Sequence, residues 1–109
     1  MAKAEIFSGI CGFCTTVEAH KNGNGRQIDL HFESDCKAIQ RLGANLTQVD
    51  PFREFAFRGE GPLTLQLAAK YCSHAACPVP SGIIKAIEVE AGLALPADVT
   101  IKISKDSAD

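Results

Sequence analysis

The hydrophobic pattern of this chain changes period at Ser34, and that change restricts the folds open to it. Before Ser34, residues 26–33 alternate, with Ile28, Leu30 and Phe32 on one face and Gln27, Asp29, His31 and Glu33 on the other. This is the signature of a half-buried antiparallel strand. After it, Ile39, Leu42 and Leu46 recur at spacings of three and four, which predicts a helix over 35–46 with Ser34 as its N-cap. Gly43 weakens that helix somewhat.

The strand at 26–33 has partners upstream. Asn22-Gly23-Asn24-Gly25 is the strongest turn signal in the chain, because both residue types accept positive φ. It joins a second strand over 14–20, where Thr15, Thr16 and Val17 favour β structure. Ala4, Ile6 and Ser8 alternate with Glu5 and Phe7, giving a first strand that ends at Gly9, and Ile10–Cys14 forms the intervening loop.

Downstream, residues 47–61 read as irregular. Leu63, Leu65, Leu67, Ala68 and Ala69 predict a mostly buried helix over 62–72. A second helix is expected over 80–92, with Ile83, Ile84, Ile87 and Ala91 as its apolar stripe and Gly92 as its stop. Val99, Ile101 and Ile103 then alternate with Thr100, Lys102 and Ser104, the pattern of a last strand. The expected architecture is α+β: a single domain over 1–104 and a polar tail over 105–109. Its antiparallel sheet has three N-terminal strands plus a C-terminal strand, with about three helices packed on one face.

Composition narrows the function. A net charge of −2, no basic stripe, and only six Phe and one Tyr give nucleic-acid binding little support. No apolar run approaches the ~20 residues of a membrane helix. The opening residues lack a charged region followed by a long apolar one, so no export signal is expected and the cytoplasm is the expected compartment. The sequence does not name a protein partner.

Five cysteines remain to be explained. Their odd number and the expected reducing compartment favour metal or redox work over a disulfide framework. All five fall at element ends. Cys11 and Cys14 lie in the first loop, Cys36 begins the first helix, Cys72 ends the second and Cys77 precedes the third. Pro78 pushes Cys77 towards extended geometry, outside the helix, with its sulfur near the free first-turn amides. Cysteines so placed bind metal or attack electrophiles as thiolates. A Cys-x-x-Cys turn can direct two sulfurs to one ion. The expected ligand set is Cys11, Cys14, Cys36 and Cys77, with Cys72 or His74 as substitutes, for zinc or an iron–sulfur cluster.

Simpler readings stand beside these. Cys36 falls on the same helical stripe as Ile39, and buried cysteines commonly serve as small hydrophobes; Cys72, at the end of an apolar helix, reads first as a core residue. His20 and His31 occupy exposed strand positions. Cys11-Gly12-Phe13-Cys14 looks like a thioredoxin-type centre, but the residues after it, TTVEAHKNGNG, are β-forming and provide no helix N-terminus. A thiol–disulfide protein using Cys11 and Cys14, with Cys77 as third thiol, is therefore the alternative. A structural or interaction module with non-functional cysteines is a third.

The blocks CGFCT, SDCKAI and HAACPVPSGIIKAIEVEAGLALP resemble those of a family of small cysteine-rich proteins of unknown function from anaerobic bacteria and archaea. More distantly, Cys77-Pro78 before a helix, with Cys36 after a strand, is similar to the TSCPD domain, of whose signature only the Cys-Pro core is kept. Cys11, Cys36 and Cys77 also resemble, by position, the three cysteines of iron–sulfur cluster scaffolds, although Gly12 stands where those proteins carry an aspartate. The scaffold likeness implies cluster binding; none of these families supplies a reaction.

Overall fold

Three strands lie side by side because their alternation gives each one wet face and one dry face. The structure, a computed structural model, describes residues 1–23 and 26–106. β1 (Ala2–Phe7), β2 (Cys14–Asn22) and β3 (Gln27–Ser34) form an antiparallel meander, and β4 (Gln48–Val49) adds to β3 to give the order β1-β2-β3-β4. Register sets Ala4 beside Val17 and Val17 beside Phe32, so Ala2, Val17, Ala19, Ile28 and Leu30 line one buried face. Glu18, His20, Asp29 and His31 sit opposite, on the wet face, where the two imidazoles meet edge-on at 5.3 Å. Asn24 and Gly25 of the expected turn, and residues 107–109 of the expected tail, lie outside the described residues.

Among the described residues there are three helices: α1 (Lys37–Asn45) and α3 (Val79–Glu90) cover the dry face, and α2 (Leu63–Tyr71) packs against both of them. Ile39 and Leu42 of α1, Leu46, and Val79, Ile83, Ala86 and Ile87 of α3 complete the core. Two glycines set how closely the helices approach. A Cβ on Gly43 would stand 2.8 Å from the Phe32 ring, and one on Gly82 would run into the Ile6 side chain. The glycine that weakens α1 on propensity is thus what lets α1 seat on β3.

Caps fix where each helix begins and ends. The expected N-cap Ser34 lies two residues too early: Cys36 is the N-cap of α1, and Ser34 Oγ accepts from the Cys36 amide at 3.2 Å. The segment expected to be irregular contains a buried carboxylate. Glu54 follows a short 3-10 turn, Pro51–Arg53, and accepts from the amides of Leu63 and Thr64, each at 2.9 Å, and from the Thr64 hydroxyl. It supplies from a distance the cap that Pro62 cannot give α2. α3 ends in a Schellman motif. Gly92, at φ +78, donates to the carbonyl of Val89, and Leu93 donates to that of Glu88.

The α+β architecture, the four-stranded antiparallel sheet and the three helices match expectation; the identity of the fourth strand does not. Gln48–Val49 takes that place on β3, while residues 99–103 join no strand. Alternation shows that a segment can present an apolar face, not which sheet will receive it. A two-residue strand, conversely, is too short to show a period.

Candidate thiol site

All three helices place a cysteine at the same end of the molecule. Cys36 caps the N-terminus of α1, Cys72 caps the C-terminus of α2, and Cys77 lies one residue before Pro78, the N-cap of α3. Each position has a local cause. Thr15 and Ser34, paired across β2 and β3, share a 2.8 Å hydroxyl hydrogen bond, and Ser34 Oγ takes the Cys36 amide, so Cys36 is tied to the end of the sheet. The Cys72 amide completes α2 by donating to the Ala68 carbonyl at 2.8 Å. Its chain then reverses through a turn closed by the Cys77 amide on the His74 carbonyl at 3.2 Å.

Cys36, Cys72 and Cys77 are half-buried and pack against the core cluster, and none is in a disulfide. Electrostatics shows that they are neighbours. Burial pushes the Cys72 thiol above its ordinary value, the nearby Cys77 and Cys36 push it further, and Arg41 opposes them. The expected substitute, Cys72, is therefore central to the group, and it comes from the C-terminus of α2, where the helix dipole is negative.

Cys11 and Cys14 stand apart from this trio. Cys11 sits at the tip of the exposed loop between β1 and β2, where the Gly12 amide donates to the Gly9 carbonyl at 2.8 Å, and Cys14 is the exposed first residue of β2, beside Phe7. Cys14 directly precedes Thr15, so the loop shares its end of the sheet with Ser34 and Cys36. Neither loop thiol is among the charges acting on Cys72. The loop also exposes Phe7 and Ile10. His74 is exposed, and its backbone carbonyl is what holds Cys77. Of the expected set, then, Cys36 and Cys77 are the thiols whose charges act on Cys72, and Cys11 and Cys14 are not among them. Among the described residues, no three His, Cys, Asp or Glu side chains are grouped so as to hold a metal ion.

The sequence reading gave Cys72 only as a substitute ligand and missed Glu54. Cys72 looked like core because its helix is apolar, although the four residues between it and Cys77 could have signalled a reversal. Glu54 had no signal, since its partners lie nine and ten residues away across an irregular segment.

The fold and site define a small α+β protein with a half-buried thiol group at its helix ends. Residues 2–103 match a family of unknown function, DUF6951, and the chain belongs to that family. No curated protein and no solved structure matches it.

Proposed function

We propose that Cys36, Cys72 and Cys77 form a binding site for a soft metal ion or an iron–sulfur cluster, completed by Cys11 or Cys14. The reading is supported by two features: the ends of α1, α2 and α3 each carry a half-buried cysteine, and the charges of Cys77 and Cys36 both act on Cys72. Thiolates select zinc, copper(I) and iron–sulfur clusters over hard cations, and four of them satisfy either tetrahedral zinc or a cluster. Loading requires the three sulfurs to turn towards a common point and the hairpin loop to bring in a fourth. Gly9 and Gly12, both at positive φ, bound the segment that would move. The positional likeness of Cys11, Cys36 and Cys77 to scaffold cysteines is in keeping with a cluster, and a reducing cytoplasm with free thiols.

The test is anaerobic purification followed by elemental analysis and absorption spectroscopy, with reconstitution by zinc and by iron and sulfide. One metal site per chain is expected, lost on replacing Cys36, Cys72 or Cys77 by Ser and weakened by replacing Cys11 or Cys14. A chain that takes up no stoichiometric metal under either regime refutes the proposal.

A second reading has its own support. Of the two thiols that raise the pKa of Cys72, Cys77 acts more strongly, and one short turn joins the pair. Cys72 and Cys77 would then be a dithiol that gives two electrons and two protons to a disulfide acceptor. A mass loss of two hydrogens on oxidation, mapped to a Cys72–Cys77 peptide pair, distinguishes this reading from metal binding.

A further inference from the structure

From Gly92 onward every described residue is exposed, yet the segment carries the strand pattern Val99-Thr100-Ile101-Lys102-Ile103-Ser104. Val99, Ile101 and Ile103 are 64%, 72% and 91% exposed. Three β-branched apolar residues on one face of a potential strand are costly to leave in water. The segment also projects. The radius of gyration is 14.4 Å and the longest dimension 56 Å against 28 Å in the other two directions, where a compact chain of this length has a radius near 13 Å.

The body of the molecule carries a matching vacancy. Among the described residues β1 is an edge strand, paired only with β2. Beside it runs a groove between β1 and α3, lined by Ala4, Ile6, Gly82, Ala86 and Val89, and bordered by the root of the arm at Pro96–Thr100. Ala4, Ile6 and Val89 remain only partly buried there. A long open edge with an apolar margin pairs readily with another strand.

We propose that this groove receives the arm of a second copy of the chain, Val99–Ser104 adding to β1 as a fifth strand while the partner returns the same contact. The fit is specific. β1 and the arm strand are each six residues long, and side-chain parity places Val99, Ile101 and Ile103 over the groove when Thr100, Lys102 and Ser104 face water. An antiparallel register with Ile101 beside Ile6 sets Ile103 beside Ala4 and Lys102 against Glu5, opposite charges on the wet face where Glu5 also meets Lys3 at 3.2 Å, with Val99 opposite Ser8, one residue past β1. A reciprocal contact of this kind is isologous and closes as a dimer.

The experiment is sedimentation equilibrium of the full chain in reducing buffer, so that no disulfide links copies, with amide hydrogen exchange over 99–104. The expected mass is twice 11.6 kDa, with slowed exchange over 99–104. Ile101→Lys is expected to give a folded monomer, because Ile101 is exposed in the single chain. Lys102→Glu should weaken the dimer about tenfold, and adding Glu5→Lys should restore it. A wild-type chain that sediments as a monomer overturns the proposal, whether or not its arm is protected. So does a dimer that Ile101→Lys and Lys102→Glu leave intact, because its interface must lie elsewhere.

Discussion

Replacing Glu54 by Ala tests whether a remote carboxylate holds α2 in place. Glu54 is 1% exposed and accepts three hydrogen bonds at the start of α2, two from backbone amides and one from the buried Thr64 hydroxyl. Hydrogen bonds to a charged group contribute roughly 1.5–3 kcal/mol each, but three sharing one acceptor do not add. The substitution leaves two first-turn amides without their acceptor and a cavity beside them, and loss of a cap alone costs about 1 kcal/mol. Together these give a destabilisation of about 3 kcal/mol. With a urea slope of roughly 1.5 kcal/mol/M for a chain this size, the unfolding midpoint should fall by about 2 M. Glu54→Gln keeps the volume but turns an amide donor towards backbone donors, and should cost about 2 kcal/mol. Urea denaturation followed by circular dichroism reads both variants. A Glu54→Ala midpoint within about 0.3 M of wild type, at unchanged slope, would refute the capping argument.

Three further expectations come from other parts of the fold. Gly82→Ala should destabilise by roughly 1–3 kcal/mol despite better helix propensity, because the new methyl meets Ile6, and the shorter side chain in Ile6→Val should recover part of the loss; thermal melts of the single and double variants check this. Burial works against ionisation of Glu90, but the Lys21 amide at 2.9 Å and the Met1 ammonium at 3.3 Å hold its carboxyl below the ordinary 4.5. A depressed folded pKa contributes stability that is present above 4.5 and lost as pH falls through the folded value, so Glu90→Gln should flatten the acid limb of a stability–pH profile; an unchanged acid limb would contradict it. Finally, Cys72 should be alkylated more slowly than Cys11 because burial works against its thiolate, and at alkaline pH, where both thiols ionise, Cys77→Ser should speed its reaction by removing a like charge. Peptide mass spectrometry over a time course reads those rates, and a Cys72 rate unmoved by Cys77→Ser would count against the thiol grouping.

How much of this was readable in the sequence depended on whether its cause was local. β2, β3 and α3 announce themselves because burial of one face imposes a period, and Gly92 marks the end of α3 because only a left-handed residue closes that motif. Gly43 was legible as a defect but not as a fit, since the Phe32 ring that needs the space lies on another element. β4 and Glu54 act through tertiary pairing and carry no pattern of their own. The cysteines fell between these cases. Their place at element ends could be read off the chain, and with it the shared end of the sheet. Which thiols meet depended on how α2 and α3 reverse through residues 72–77, a matter of three-dimensional direction that spacing does not encode.

That reversal also determines which parts of the thiol end can move. α3 is held at both ends: Gly82 seats against Ile6 near its start, and Glu90 binds the Lys21 amide and the Met1 ammonium near its end. Cys77 is fixed to this anchored helix through Pro78, whose φ of −79 leaves the chain little latitude. Cys36 is tied to the sheet through Ser34 and Thr15. The trio is thus set on rigid elements, whereas Cys11 sits at the tip of an exposed loop bounded by two glycines. Any chemistry that unites all the thiols must therefore bring the hairpin to the helices. The rigid trio would define the site, and the hairpin would determine when it closes.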